Sequence, residues 1–197
     1  MQLARHNLVG RHVRLEPLAE THREELRLAC AADEQIWDIY PWSMLGEHFD
    51  AWWTRTLAAD SAWNLFAVIL SGAVVGVTGF APERAPGVVL VGGTYFRPEV
   101  RGGPANPESK RLLLQHAFAA GARRVVFNVD PVNARSRAAM NKLGAKEEGV
   151  ARQASVTWTG RVRDLVVFSL LADEWPAVRE RLDARLAEFD RTIAAAP

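Results

Sequence analysis

A mixed α/β domain is what this chain of 197 residues predicts, and three observations carry the prediction. Two valine-rich runs, LFAVIL and AVVGVTGF, flank Ser71-Gly72 and read as a hairpin covered on both faces. The stretch from Gly92 to Ala145 alternates strand and helix patterns with short turns between them. The tail from Asp173 places Trp175, Val178, Leu182, Leu186, Phe189 and Ile193 on one helical stripe. No internal repeat or low-complexity linker interrupts the chain, so residues 1–197 are expected to form one domain, with a C-terminal helix over 173–196 packed on its body.

In order, Val13 to Leu18 reads as a first strand, and Thr21 to Asp33 and Glu47 to Asp60 as helices. The hairpin strands follow, then Val88 to Arg97 as a further strand. Next come a helix opening at Asn106, a strand from Arg124 to Asp130 and a helix from Asn133 to Leu143. Strands near Ala145 to Thr157 and Val162 to Leu171, joined by the turn Trp158-Thr159-Gly160-Arg161, complete the sheet. The uncharged run from Leu65 to Pro82, with Gly72 and Gly76 in GxxxG spacing, also satisfies a membrane-helix pattern. The hairpin explains it better, because Ser, Gly and Thr stand where a lipid-facing helix prefers Leu.

Composition narrows the partners. Lys and Arg total 24 against 23 Asp and Glu, a net charge of +1 with no basic run, which argues against nucleic acid. Cys30 is the only cysteine, so a disulfide framework within the chain is excluded and a reducing compartment is expected. MQLARHNLVG lacks the apolar core of a signal peptide, so a cytoplasmic, non-membrane protein is expected. His6, His12, His22, His48 and His116 have no metal-ligand spacing, and no metal is expected. There is no GxSxG elbow, and GGPANPESK lacks the ending of a nucleotide P-loop, which leaves Lys110 as a solvated helix residue.

Two helix starts carry the chemistry. Arg101-Gly102-Gly103 is a turn without side-chain bulk, and Asn106-Pro107-Glu108 has the Asn-cap, Pro-first pattern of a helix start. Free amides there, with Arg101 beside them, suit a pyrophosphate, with Glu108 an unhelpful negative charge nearby; a plain capped strand-to-helix connection is the structural alternative. At Asn133-Ala134-Arg135-Ser136 the bare pattern is an N-cap with Ser136 in the capping-box position.

The run GGTYFRPEVRGGPANPESKRLLLQHAF, then RRVVFNVDPVNARSRAAMNKLGAKEEGVAR and RDLVVFSLLADEWPAV, resembles the GNAT acetyltransferases. The likeness is to the branch that includes the ribosomal-protein N-terminal acetyltransferases, spans nearly the whole chain and is weakest over the N-terminal helices. It implies a mixed, mostly antiparallel sheet of about seven strands, splayed between the fourth and fifth and flanked by helices. Acetyl-coenzyme A would lie in that cleft, between the strand at Tyr95 and the strand at Val126.

By that resemblance the segment Arg101, Gly102, Gly103, Pro104, Ala105 and Asn106 takes the place of the pyrophosphate loop Q/R-x-x-G-x-G/A. Pro104 and Asn106 depart from it, and Pro104 removes one N–H donor. Thr94, Tyr95 and Phe96 would meet the thioester carbonyl through their backbone. Asn133 would contact the pantetheine arm, and Ser136 would donate a proton to the departing thiolate, whose acid has a pKa of about 8.5.

The implied reaction is direct attack by an amine through a tetrahedral intermediate. No residue stands out as base: Leu90 and Val91 occupy positions where some relatives carry glutamate, and Glu148 is expected in a surface turn. An α-amine is neutral in roughly one molecule of seven at pH 7, lysine in roughly one of 2,500, which favours a weakly basic acceptor. That acceptor is a protein N-terminus or a small-molecule amine. Trp37, Asp38, Tyr40, Pro41 and Trp42, with Trp52 and Trp53, either rim the acceptor pocket, with Asp33, Glu34 and Asp38 holding a cation, or close the core beneath two helices. A monomer or a homodimer is expected. The alternative activity is a catalytically weak module that binds and senses acyl-coenzyme A.

Overall fold

In the computed structural model, which describes residues 1–82 and 85–194, the hairpin forms where the valine-rich runs place it. β3 (Asn64–Leu70) and β4 (Ala73–Pro82) pair antiparallel, with Leu70 opposite Ala73. Ser71 and Gly72 both take positive φ, 51° and 84°, the twist that a two-residue hairpin turn requires. Along β3, Phe66 and Val68 enter one core and Leu65, Ala67 and Ile69 the other, which is why the strand lacks polar residues.

Around this hairpin lie β1 (Leu8–Val9), β2 (Val13–Pro17) and β5 (Val88–Phe96), then β6 (Arg124–Val129), β7 (Lys146–Val156) and β8 (Val162–Leu171). The order in the sheet is β1-β2-β3-β4-β5-β6-β8-β7, antiparallel except for the parallel pair β5 and β6. The eighth strand, beyond the expected seven, is β1, too short for any periodicity to reveal.

α1 (Arg23–Ala31) and α2 (Gly46–Leu57) cover one face of the sheet, where Leu26, Phe49, Trp52 and Trp53 pack against Ala67, Val77 and Tyr95. A five-residue 3₁₀ turn, Gln35–Ile39, links the two. The other face carries α3 (Ala105–Ala119), α4 (Ala134–Leu143) and α5 (Trp175–Ala194). Leu113 and Leu114 of α3, Met140 and Leu143 of α4, and Trp175, Val178 and Leu182 of α5 share that core with Leu15, Phe66 and Phe80. Leu186 is also buried, Phe189 is half-buried, and the side chain of Ile193 lies outside the described residues.

Two helix starts differ in type. Asn133 caps α4 as expected, its Oδ1 accepting from the Ser136 amide at 2.9 Å. α3, in contrast, begins before Asn106: Pro104 is the flanking residue, its carbonyl accepting from the Glu108 amide at 3.0 Å, and Asn106 and Pro107 lie within the first turn. Proline fits there because first-turn amides have no intrahelical acceptor.

β5 carries a bulge that matters for the site. Val77 pairs with Tyr95 and Gly79 with Gly92, so Gly93 and Thr94 oppose the single residue Thr78. Gly93 holds φ at 59°, and a Cβ there would lie 3.2 Å from Leu65 and 3.3 Å from Trp63. Gly93→Ala is expected to destabilise the fold by about 1–2 kcal/mol and to lower the urea midpoint.

Candidate active site

β5 and β6 are joined only at their first residues, Val88 with Arg124, Val89 with Val125 and Leu90 with Val126. Beyond that point β5 pairs with β4 alone and β6 with β8 alone. The strands part, as expected for the fourth and fifth strands of the notional seven, and a cleft of about 460 Å³ opens between them. The first turns of α3 and α4 border it, bringing Gly102, Gly103 and Asn106 to the same space as Asn133 and Ser136. Thr94, Tyr95 and Phe96 supply the β5 wall.

The donor set suits a phosphorylated guest. Among the described residues, the amides of Gly102, Gly103, Ala105 and Asn106 have no hydrogen-bond acceptor within the chain, and they lie where a helix start favours an anion. Gly102 holds φ at 85° with open space around its Cα, so the loop backbone is bare of side chains. Lys110, Arg135, Lys142, Arg163 and Arg185 line the same cleft, against the single acid Asp130. Asp130 is itself paired, with Arg161 at 2.5 Å and Arg163 at 3.5 Å. Pro104 and Ala105 are not on the cleft wall, so Pro104 costs the cradle a donor but does not obstruct it.

Arg101 lines the cleft but is already engaged. Its Nη1 is 2.5 Å from Asp33 Oδ2, its Nε donates to the Phe96 carbonyl at 2.8 Å, and its guanidinium lies over the Tyr95 ring. Arg101 thus ties the loop to β5 and to Asp33, just beyond α1. Glu108, a neighbour of the loop in sequence, is turned away from it. Its carboxylate accepts from the amides of Arg11, His12 and Val13 at 2.8, 2.7 and 2.6 Å, so it anchors the turn between β1 and β2 and does not oppose a phosphate.

Lys110 departs most from the sequence reading. It is buried, not solvated, and lines the cleft with Nζ 3.0 Å from Thr94 Oγ1 and 3.4 Å from Thr78 Oγ1. Burial brings its pKa down to about 7. A sequence signal for this existed: Lys110, Leu113, Leu114 and Ala117 fall at i, i+3, i+4 and i+7, the spacing of one helix face, and the last three are wholly buried.

Of the aromatic cluster, Tyr40, Pro41 and Trp42 line the cleft, with Trp63 against Trp42 at 5.7 Å. The Tyr40 hydroxyl donates to the Thr94 carbonyl at 2.6 Å, and burial pushes its pKa up to about 12. Trp37 does not reach the cleft: it is wholly buried, with Nε1 donating to the Cys30 carbonyl at 3.1 Å. Trp52 and Trp53 are buried with it, and Asp38 is exposed outside the cleft wall. Glu148 lies on β7, not in a turn. Arg124 and the Ser169 hydroxyl hold its pKa down to about 2, which removes it as a proton acceptor.

Among the described residues no group of three or more His, Cys, Asp or Glu is placed to hold a metal ion, and no helix is long and apolar enough to cross a membrane. Solved structures share the fold. A protein from T. thermophilus described as an acetyltransferase is 35% identical, with a TM-score of 0.84 over 94% of this chain and 100% of its own. A GCN5-related N-acetyltransferase from Brucella melitensis is 33% identical, with a TM-score of 0.81 over 93% of this chain and 86% of its own. RimJ from Mycobacterium smegmatis, solved in complex with CoA-disulfide, shares the fold at 22% identity and a TM-score of 0.73, over 91% of each chain. The model of the acetyltransferase (GNAT) domain matches residues 12–146, more than half of the chain. The splayed sheet, the two helix starts and these likenesses agree, and the chain belongs to the GNAT acetyltransferase family.

Proposed function

We propose that the protein moves an acetyl group from acetyl-coenzyme A to an amine, a protein N-terminus or a small molecule. The observation that carries this is the unpaired edge of β5 beyond Leu90, set between two helix starts and flanked by cations. When bound, acetyl-coenzyme A supplies an activated carbonyl on a thiol leaving group.

This chain's own residues do the rest. The loop amides and first turn of α3 hold phosphate by oriented N–H groups, which contribute up to about 2 kcal/mol where partly buried. The β5 backbone from Thr94 to Phe96 lies where developing negative charge on the carbonyl oxygen needs donors. The Thr94 carbonyl is already bonded by Tyr40, so that strand edge is fixed before any guest arrives. Asn133 Oδ1 is committed to capping α4, which leaves its Nδ2 for the pantetheine arm. The cap also fixes Ser136 at the helix start, where its hydroxyl gives the sulfur its proton.

The basic side chains of the wall disfavour a further cation, so the acceptor is an amine of low basicity that enters neutral past Tyr40, Trp42 and Trp63. A panel of amines assayed for free thiol release tests the reading. Turnover with at least one acceptor is expected; coenzyme A binding without thiol release from any of them overturns it in favour of a sensing module. Ser136→Ala is expected to lower kcat by about 10²-fold with little change in KM for acetyl-coenzyme A. Steady-state kinetics on the same thiol assay measures both.

A further inference from the structure

The reaction needs an acceptor for the proton that the amine sheds, and the geometry around Lys110 provides one. Among the described residues its Nζ contacts two threonine hydroxyls and no carboxylate: Thr94 Oγ1 at 3.0 Å and Thr78 Oγ1 at 3.4 Å. The two hydroxyls are themselves 2.7 Å apart, and either can donate. The chain Lys110, Thr94, Thr78 therefore keeps its hydrogen bonds in both charge states. As an ammonium, Lys110 donates to Thr94, which donates to Thr78. As a neutral amine, it accepts from Thr94, which accepts from Thr78. Inverting the chain moves protons and no heavy atoms.

The surrounding charges do not pin Lys110 in its cationic form. From β4 and β5 it meets the threonine hydroxyls, and the phenols of Tyr40 and Tyr95 donate to the carbonyls of Thr94 and Ala29. On its own helix Glu108 is held by the amides of residues 11 to 13. Across the cleft Asp130 is paired with Arg161 and Arg163 and Asp33 with Arg101, while Arg135, Lys142 and Arg185 also line the cleft. Burial favours the neutral amine.

We infer that Lys110, acting through the Thr94 hydroxyl, receives the proton released by the attacking amine. The inference rests on the reading of the protein as an amine acetyltransferase. The atoms balance: one N–C bond forms and one C–S bond breaks. The nitrogen's proton passes to Thr94 Oγ1 as the proton of Thr94 passes to Lys110 Nζ. The sulfur takes its proton from Ser136, and solvent then exchanges with both side chains. Net, one proton has moved from nitrogen to sulfur. Thr94 stands in the β5 bulge on the cleft wall, so its side chain connects the buried amine to the reacting groups.

Two measurements test this. In protein labelled with ¹³Cε-lysine, the Lys110 resonance, assigned by its loss in Lys110→Met, is expected to titrate with a midpoint near 7 without any ligand. In thiol-release assays with several amines, kcat/KM is expected to rise with pH through a midpoint near 7 that does not move with the acceptor's basicity. Lys110→Met and Thr94→Val are each expected to remove that limb and slow turnover by about 10²- to 10⁴-fold. Lys110→Arg, which keeps the charge but does not release a proton, is expected not to rescue turnover. Rescue by arginine, a midpoint near the ordinary lysine value of about 10, or a Lys110→Met enzyme with the wild-type pH profile each overturns the inference alone. Wild-type protein that releases no thiol with any amine overturns the functional reading and this inference with it.

Discussion

Replacing Glu108 with alanine is expected to lower the unfolding free energy by about 3–5 kcal/mol, measured as a fall in the urea midpoint at unchanged m-value. Glu108 is buried and its carboxylate accepts three backbone amides, from Arg11, His12 and Val13. Each bond to a charged acceptor is worth roughly 1.5–3 kcal/mol, and removing the acceptor leaves the Val13 amide buried without a partner. The negative charge also lies at the start of α3, where the helix dipole favours it. Glu108→Gln is expected to lose about half as much, because its carbonyl oxygen replaces Oε2 towards His12 and Val13 while its NH₂ opposes the Arg11 amide. The carboxylate faces Gly10, whose added Cβ would lie 2.4 Å from it, so the turn and the acid fit each other closely. Coenzyme A affinity should change little in either variant. A loss of affinity larger than the loss of stability would show that Glu108 shapes the phosphate loop directly.

The same residue shows where the sequence was legible and where it was not. Periodicity located the hairpin, the strand from Val162 and the α5 stripe, because each buries a regular row of apolar side chains, whereas the strand from Lys146 is exposed along nearly its whole length and is held by pairing to β8. It missed β1, two residues held by pairing to β2, since nothing in so short a run repeats. The cleft was legible as two helix starts after two strands, and Asn133 as a cap, because capping is local chemistry. The start of α3 was not: Asn106-Pro107 has the pattern of a cap, but the chain turns helical earlier, with Pro104 as the flanking residue.

Side-chain direction was least legible. Glu108, Arg101 and Lys110 lie within ten residues, yet they face the β1–β2 turn, Asp33 and the Thr78–Thr94 pair. Those partners are 16 to 97 residues away in sequence. Trp37 and Trp42 belong to one aromatic run, but the 3₁₀ turn between α1 and α2 sends the first into the core and leaves the second on the cleft wall.

Lys110→Met is expected to stabilise the protein, with a gain that depends on pH in a predictable direction. The folded-state pKa of Lys110 falls from 10.5 to about 7, so between those values the unfolded chain binds more protons than the folded one. Wild-type stability attributable to this group therefore rises with pH across that window, by about 1.4 kcal/mol per pH unit. Below pH 7 both states carry the charge and the penalty is complete: burying the cation costs on the order of 3–5 kcal/mol, less the bond to Thr94. A methionine of similar length removes the cost, and the Thr78 and Thr94 hydroxyls still bond each other. The variant is thus expected to exceed the wild type by about 2–4 kcal/mol at pH 6, with the difference shrinking towards zero near pH 10. Urea denaturation of both proteins at pH 6, 8 and 10 measures it, because titrations common to the two cancel. A difference independent of pH would mean that Lys110 remains charged in the folded protein. If the gain appears together with the loss of turnover, the cation is destabilising where it sits and its place in the cleft is explained by the proton it carries, not by the packing it provides.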